Sequence, residues 1–226
     1  MSKDKPTLVV DARPKRLISG IVDSYFDSAK PELEEKGYHV ASLAEFAELI
    51  MQEGTDSDVY RKPCIVEEGL VHTPSGNCAR LVRHSPLWVA RKEETGTNPH
   101  FGGPRYKFIS TDEQVEKSLE DSVDYPLQKN EVGPVEIPTN RFGYDALPIW
   151  AFGQGDEKKA QNFGDFLRKR GVMMFPFARL TKGNLPCYQV QFTLDDSKRP
   201  FILQYDGSRD GGPVRGVKVW SCHERE

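Results

Sequence analysis

The sequence predicts an α+β protein: a C-terminal antiparallel meander packed with one helix, preceded by a helix-rich N-terminal half with a β-hairpin. Three patterns support this prediction. Apolar residues that include Phe163 and Leu167 recur at helical spacing, which predicts the helix. Apolar and polar residues alternate from 188 to 194, as in a half-buried strand. A wide apolar face over residues 17 to 29 predicts a helix in the N-terminal half.

Residues 147 to 180 are predicted to form a strand, a loop, a helix and a second strand. Apolar runs at 147–152 and 172–177 have the length of strands. The helix between them, at 156–170, begins with acidic and ends with basic residues, which oppose the helix dipole. Its leading loop holds two glycines, but a dinucleotide-binding loop needs a third where Lys158 stands. We therefore expect no cofactor.

Short helices and one hairpin complete the predicted N-terminal half. A short strand at residues 7 to 11 is expected before the helix with the wide apolar face. Ser42 and Glu45 match a capping box, which predicts the start of another helix. Runs rich in β-forming residues at 65–73 and 78–83, joined by turn residues, predict the hairpin.

Loops dominate the predicted middle of the chain. Residues 92 to 104 are polar and contain glycines, which is typical of a loop or linker. A strand at 105–109, a capped helix at 111–119 and a loop-rich connection at 124–139 are expected next. Further strands of the meander are predicted at 201–205 and 217–220.

These elements divide the chain into three segments. Residues 1–91 form the helix-rich half with its hairpin, 92–140 form a loop-rich connection with a short helix, and 141–226 form the α+β half. At 226 residues the chain is long enough to bury a sizeable core as one domain or two.

The composition is that of an ordinary folded protein, with 37% hydrophobic and 29% charged residues, which excludes the disordered classes. No apolar run approaches the about 18 residues that a membrane span needs, and the N-terminus has no apolar signal region. The four cysteines form no C-x-x-C pair, which is typical of reduced thiols. We therefore expect a cytoplasmic protein without membrane contact.

One polar cluster matches the opening of a calcium-binding loop. Asp206, Ser208 and Asp210 alternate and are followed by a glycine, so their oxygens are candidate metal ligands. The position that should supply a bidentate carboxylate is Val217, and Arg209 adds a positive charge within the loop. A glycine-rich turn between two strands accounts for the same residues, and it is the favoured interpretation.

Basic residues at predicted turns of the meander provide a second candidate site. Arg199, Arg209 and Arg215 are candidate contacts for nucleic-acid phosphates. The same turns also carry aspartates, and the net charge of −3 gives no strong electrostatic attraction to nucleic acid. Nucleic acid is therefore a second candidate partner, ranked after a protein partner.

Histidines are the remaining candidates for chemistry. His72 and His84 flank the predicted hairpin, where they would lie near Glu67 or Glu68. No histidine has a partner at a diagnostic spacing, and no G-x-S-x-G nucleophile motif occurs. The catalytic residues, if the protein is an enzyme, are unknown.

We therefore expect a non-catalytic intracellular binding or interaction protein, a subunit of a larger protein assembly with protein partners. The long polar loops at 92–104 and 124–140 suit a partner surface. Two alternatives stay open: a nucleic-acid-binding protein that uses the basic C-terminal turns, and a metal-dependent enzyme that uses Asp206 and Asp210.

Overall fold

The computed structural model describes residues 16–24, 26–73, 78–97, 104–127, 133–181, 187–194, 199–205 and 212–219. The strands are β1 (Leu17–Ser24), β2 (His39–Val40), β3 (Cys64–His72), β4 (Ala79–Val82), β5 (Arg91–Thr97), β6 (Pro104–Ile109), β7 (Ser122–Tyr125), β8 (Val135–Pro138), β9 (Met174–Phe177), β10 (Cys187–Leu194), β11 (Pro200–Tyr205) and β12 (Gly212–Val219). The α-helices are α1 (Phe26–Glu35), α2 (Leu43–Glu53), α3 (Asp58–Arg61), α4 (Asp112–Ser118), α5 (Ala146–Gly153) and α6 (Glu157–Arg168). Short 3₁₀ helices lie at Pro86–Val89 and Thr139–Arg141.

One mixed sheet of ten strands forms the centre of the fold. Its main path runs β1, β12, β3, β10, β11, β9 and β8, with β2 beside β12, β4 beside β3, and β7 beside β4. Strands β5 and β6 pair with each other in a separate two-stranded sheet. Within the described residues, no helix is both long and apolar enough to cross a bilayer.

The predicted fold class is wrong, because the protein is built around this large sheet. The N-terminal half contributes β1 to β4 to the sheet, so it is not simply helix-rich. The last strand, β12, pairs with β1 along its whole length and runs parallel to β3, so the C-terminal strands do not form a meander. Pairing over such sequence distances leaves no local signal. The three-segment division of the chain stays a prediction.

The N-terminal helix predicted at residues 17 to 29 is instead mostly strand β1. Leu17 and Val22 are both buried, and they belong to different hydrophobic cores. Apolar residues therefore occur on both faces of β1, so the strand lacks the alternation of apolar and polar residues and its pattern resembles the wide face of a helix. The short strand predicted at residues 7 to 11 lies outside the described residues.

The strand predicted at residues 147 to 152 is helix α5. Pro148 lies in the first turn of this helix, where its missing N–H costs no hydrogen bond. Leu147, Ala151 and Phe152 are buried, and the neighbouring residues on the other side are half-buried. Because packing surrounds the helix, its sequence is apolar throughout, and a short apolar run does not distinguish a helix from a strand.

Several locally encoded elements are confirmed. Both predicted capping boxes are present, Ser42 with Glu45 at α2 and Thr111 with Gln114 at α4. The hairpin of β3 and β4, the helix α6 and the strands β6, β9, β10 and β11 also form close to where they were expected. By contrast, residues 91 to 97 form β5, and the predicted loop-rich connection contains β8.

Hydrophobic cores lie on both faces of the sheet, since Cys64 and Ile65, which are consecutive in β3, belong to different cores. The larger core lies under α2, α5 and α6 and holds a group of aromatic rings. In it, Phe152 stacks on Phe142 at 5.6 Å between centroids and meets Phe175 edge-on at 5.3 Å. The smaller core lies under α1 and α4.

Gly164 provides a test of this packing. It lies inside α6, and a Cβ built on it would be 2.1 Å from the carbonyl oxygen of Thr139. Alanine normally stabilises a helix by about 1 kcal/mol relative to glycine. Here the clash is with backbone, so we expect Gly164→Ala to lower the free energy of unfolding in urea by about 1–3 kcal/mol.

The matched control is Gly20→Ala in β1, where the nearest heavy atom to the added Cβ is 3.7 Å away. This variant should unfold at nearly the urea concentration of the wild type. A Gly164→Ala protein that is more stable than the wild type would contradict the packing of α6 against residues 139 to 141.

Candidate functional site

The candidate site is built on Glu67 and Glu68, which are consecutive in β3 and therefore leave opposite sides of the strand. Between the stretches of β3 that pair with β12 and with β4, Glu67 makes other backbone hydrogen bonds. Its N–H donates to the carbonyl of Ala41, and its carbonyl accepts from the N–H of Ser85. The interruption in strand pairing lets the chain after β4 turn away and form a cleft.

Glu68 is fully buried beneath α2. Its Oε2 accepts a hydrogen bond of 2.8 Å from the N–H of Leu43, the first residue of α2, and its Oε1 lies 3.4 Å from Nη1 of Arg83. Burial raises the pKa of the Glu68 carboxyl to about 8, because desolvation outweighs the stabilisation of the charge by these donors. Glu68 therefore changes its protonation near neutral pH.

Arg83 links the buried carboxyl to the surface. Its guanidinium lies 3.8 Å from the ring centroid of Trp150 and donates to the Trp150 carbonyl at 3.2 Å. Its Nε also lies 3.5 Å from a carboxylate oxygen of Asp121. The indole N–H of Trp150 donates to the same carboxylate group at 2.9 Å. Three partners thus hold the Arg83 guanidinium in one orientation.

The cleft beside these residues has a volume of about 500 Å³, which is within the range of small-ligand sites. We call it the β3–β4 cleft. The residues that define it are Glu67, Arg83, His84, Trp88, Val89 and Asp121.

The wall of the cleft opposite Arg83 is also ordered by hydrogen bonds. His84 Nδ1 lies 2.8 Å from Glu67 Oε1, and the indole N–H of Trp88 donates to the Glu67 carbonyl at 2.9 Å. The hydroxyl of Ser85 is buried and accepts from the N–H of Leu87, so it caps the 3₁₀ helix and does not face the cleft mouth. This geometry offers donors, acceptors and an aromatic surface, which suits the binding of a polar group.

Charges of both signs surround the cleft. Lys30, Arg83 and Lys117 supply positive charge. Glu67, Glu120 and Asp121 supply negative charge. Because the two signs are present in equal number, the cleft favours a ligand that itself carries both donors and acceptors, such as a stretch of polypeptide.

Of the predicted phosphate-binding arginines, Arg199 and Arg215 are described, and the structure does not bring these two together. Arg199 precedes β11 and pairs with Glu136 at 3.3 Å. Arg215 is buried in β12, where Nη1 donates to Ser19 Oγ at 3.0 Å and the guanidinium lies 5.6 Å from the ring centroid of Phe46. β3 and β10 lie between β12 and β11 in the sheet.

The remaining predicted site residues, Arg209 and the metal candidates Asp206, Ser208 and Asp210, lie outside the described part of the chain. Within the part that is described, no group of three or more His, Cys, Asp and Glu side chains has the geometry to hold a metal ion. The metal prediction at residues 206 to 210 therefore stays a prediction.

Sequence reasoning found part of the cleft. The expected proximity of His84 to Glu67 is confirmed, because the hairpin register brings the end of β4 back to the middle of β3. The sequence predicts a strand over residues 147 to 152, and it gives no signal for the contact of Arg83 with Trp150, which depends on helix α5. Arg83, Trp88 and Trp150 lie close together only in the folded protein, so the sequence alone gives only a weak signal for this part of the cleft.

Comparison with known proteins identifies the fold and nothing finer. No protein-family model and no curated protein matches the chain. A solved structure from work on the accommodation of massive sequence variation in Nanoarchaeota by the C-type lectin fold is similar to it, with a TM-score of 0.58 and 13% identity. The match covers 92% of this chain and 99% of that chain. The chain therefore has a C-type lectin-like fold, which also overturns the predicted helix-rich half and meander.

The raised pKa of Glu68 predicts how stability depends on pH. In the unfolded chain a glutamate ionises near a pKa of about 4.3. Between that pH and about 8 the folded protein keeps a proton that the unfolded chain releases, so its stability falls as pH rises. We expect Glu68→Gln to reduce the loss of unfolding free energy between pH 5 and pH 8, measured by urea denaturation.

Glu116→Gln is the control, since it removes one carboxylate from an exposed position on α4. Its stability should change with pH as that of the wild type does. If the stability curves of Glu68→Gln and the wild type stay parallel from pH 5 to pH 8, Glu68 does not hold a proton in the folded protein.

Proposed function

We propose that this protein is a non-catalytic intracellular binding protein, a subunit of a larger assembly, and that the β3–β4 cleft receives a polar segment of a protein partner. The observation that carries the proposal is the combination, in one cleft, of oriented charges of both signs with an exposed apolar rim at Val89. Val89 is 63% exposed and directly follows Trp88, whose indole is half-buried in the cleft wall.

A tryptophan and an arginine beside an exposed aliphatic residue give a partner both anchors and apolar surface to cover. Binding energy at interfaces concentrates in a few aromatic and arginine side chains surrounded by groups that exclude water. The β3–β4 cleft offers Trp88 and Arg83 for this role, with Val89 at the rim. Covering Val89 would remove apolar surface from water and so favour association.

The rigidity of the charged groups supports binding as well. Arg83 is held by Trp150 and Asp121, and His84 is paired with Glu67. Side chains that are already oriented lose little conformational entropy when a partner binds. The cleft can therefore discriminate between partners by the arrangement of their charges.

The C-type lectin-like fold agrees with a binding role, since such folds are often binding domains. A fold by itself does not establish a function, so this agreement is secondary to the cleft. The two alternatives, nucleic-acid binding through Arg199, Arg209 and Arg215 and metal-dependent catalysis through Asp206 and Asp210, remain predictions without a supporting observation among the described residues.

Val89→Arg tests the proposal. The change places a charge on the apolar rim and leaves the buried network intact. The full chain, tagged and purified from its native cells at moderate salt, should recover a stoichiometric protein partner. We expect Val89→Arg to weaken this partner's binding about tenfold or more. A residue that matters at an interface contributes more than about 1 kcal/mol, and about 1.4 kcal/mol is a factor of ten in affinity. Recovery is measured by quantitative mass spectrometry and affinity by titration with the purified partner.

Met173→Arg is the matched control, because Met173 is 60% exposed, lies between α6 and β9, and does not line the cleft. It should bind the partner as the wild type does. A partner that binds equally to Val89→Arg, or a protein that is purified alone, would rule out the cleft as a partner site. Recovered nucleic acid in place of protein would favour the first alternative.

A further inference from the structure

A second groove, which shares no lining residue with the β3–β4 cleft, is lined by three arginines. Arg61, Arg170 and Arg199 border it, and its volume is about 740 Å³. Asp56 is the one acidic residue among its described lining residues. We call it the arginine groove. The lining carries three guanidinium groups and one carboxylate, and Glu136 supplies a second carboxylate that pairs with Arg199, so positive charge exceeds negative charge by one unit although the chain as a whole has a net charge of −3.

The three arginines come from elements that are distant in sequence. Arg61 is the last residue of α3, Arg170 follows α6, and Arg199 immediately precedes β11. The tertiary structure brings them to one groove. Arg170 is already oriented there, since its guanidinium lies 3.5 Å from the ring centroid of Phe166 and donates to the Phe166 carbonyl at 3.2 Å.

The ion pairs already present in the groove are weak competitors for a ligand. Arg61 and Asp56 are 2.8 Å apart, and their side chains are 60% and 96% exposed. Arg199 and Glu136 are 3.3 Å apart, with 44% and 38% exposure. Exposed pairs of this kind contribute little to stability, because water and salt screen the attraction. An anion that reaches the guanidinium groups can therefore replace the carboxylates at little cost.

Guanidinium groups bind oxyanions through two parallel hydrogen bonds, and phosphate is the oxyanion that satisfies several such groups at once. Three guanidinium groups around a groove of this size suit a chain of several phosphate groups better than one isolated phosphate. Buried Tyr60 and half-buried Leu194 also line the groove. We propose that the arginine groove binds a small ligand with a short polyphosphate chain.

The first test is isothermal titration of the full chain with tripolyphosphate and with ATP, each without divalent cations. We expect Arg61→Ala, Arg170→Ala and Arg199→Ala each to weaken binding about tenfold, the loss typical of a hydrogen bond to a charged group. Equal affinities for the two probes indicate that the phosphate chain alone is bound, and tighter ATP binding indicates that the nucleoside also contacts the groove.

Arg91→Ala is the matched control. Arg91 is an exposed arginine in an ion pair with Glu93 on β5, and it does not line the groove. It should leave the affinity unchanged. If Arg91→Ala weakens binding as much as the groove variants do, the attraction is only a general effect of charge, and the site does not exist.

Asp56→Asn tests the proposal in the opposite direction. Removing the competing carboxylate should tighten tripolyphosphate binding several-fold, and a misfolded variant cannot produce such a gain. Absence of binding to either probe by the wild type overturns the proposal. So does a single-stranded oligonucleotide that binds far more tightly than both probes and loses affinity in the same variants, because the groove would then belong to a nucleic-acid surface.

Discussion

The fold depends on the insertion of β12, the last described strand, between strands from the beginning of the chain. It pairs with β1 along one edge and with β2 and β3 along the other, so both edges of its backbone are hydrogen-bonded. Gly216 permits this position, since a Cβ there would be 2.5 Å from a methyl carbon of Leu33. The first and last described strands, β1 and β12, are thereby joined in one sheet, and most of the other elements pack against it.

Insertion of β12 also decides what β3 can do. With β12 beside its first half and β4 beside its second, β3 has a short interval at Glu67 where neither strand continues. The chain after β4 turns over this interval and forms the cleft. Glu68, on the other side of the same strand, is buried under α2 and is connected to the cleft through Arg83. One interruption of strand pairing thus accounts for both the cleft and the titratable group below it.

The two proposed sites differ in how their charges are held. In the β3–β4 cleft, Arg83 and His84 are paired in the folded protein, so charges of both signs are held in fixed positions. In the arginine groove the positive charge exceeds the negative, and the existing pairs are exposed and easily exchanged. A balanced, rigid site suits a polypeptide, whereas an unbalanced, open one suits a phosphorylated small ligand.

The sequence by itself determined the elements whose signals are local. The capping boxes at Ser42 and Thr111, the dipole-matched helix α6 and the hairpin that brings His84 to Glu67 depend on residues close in the chain. Only the tertiary structure decided that residues 17 to 24 are a strand and 146 to 153 a helix, because apolar residues lie on more than one side of each element and remove the periodicity that distinguishes the two. It alone also placed Arg83 beside Trp150 and brought Arg61, Arg170 and Arg199 to one groove, since contacts between residues distant in sequence leave no local pattern.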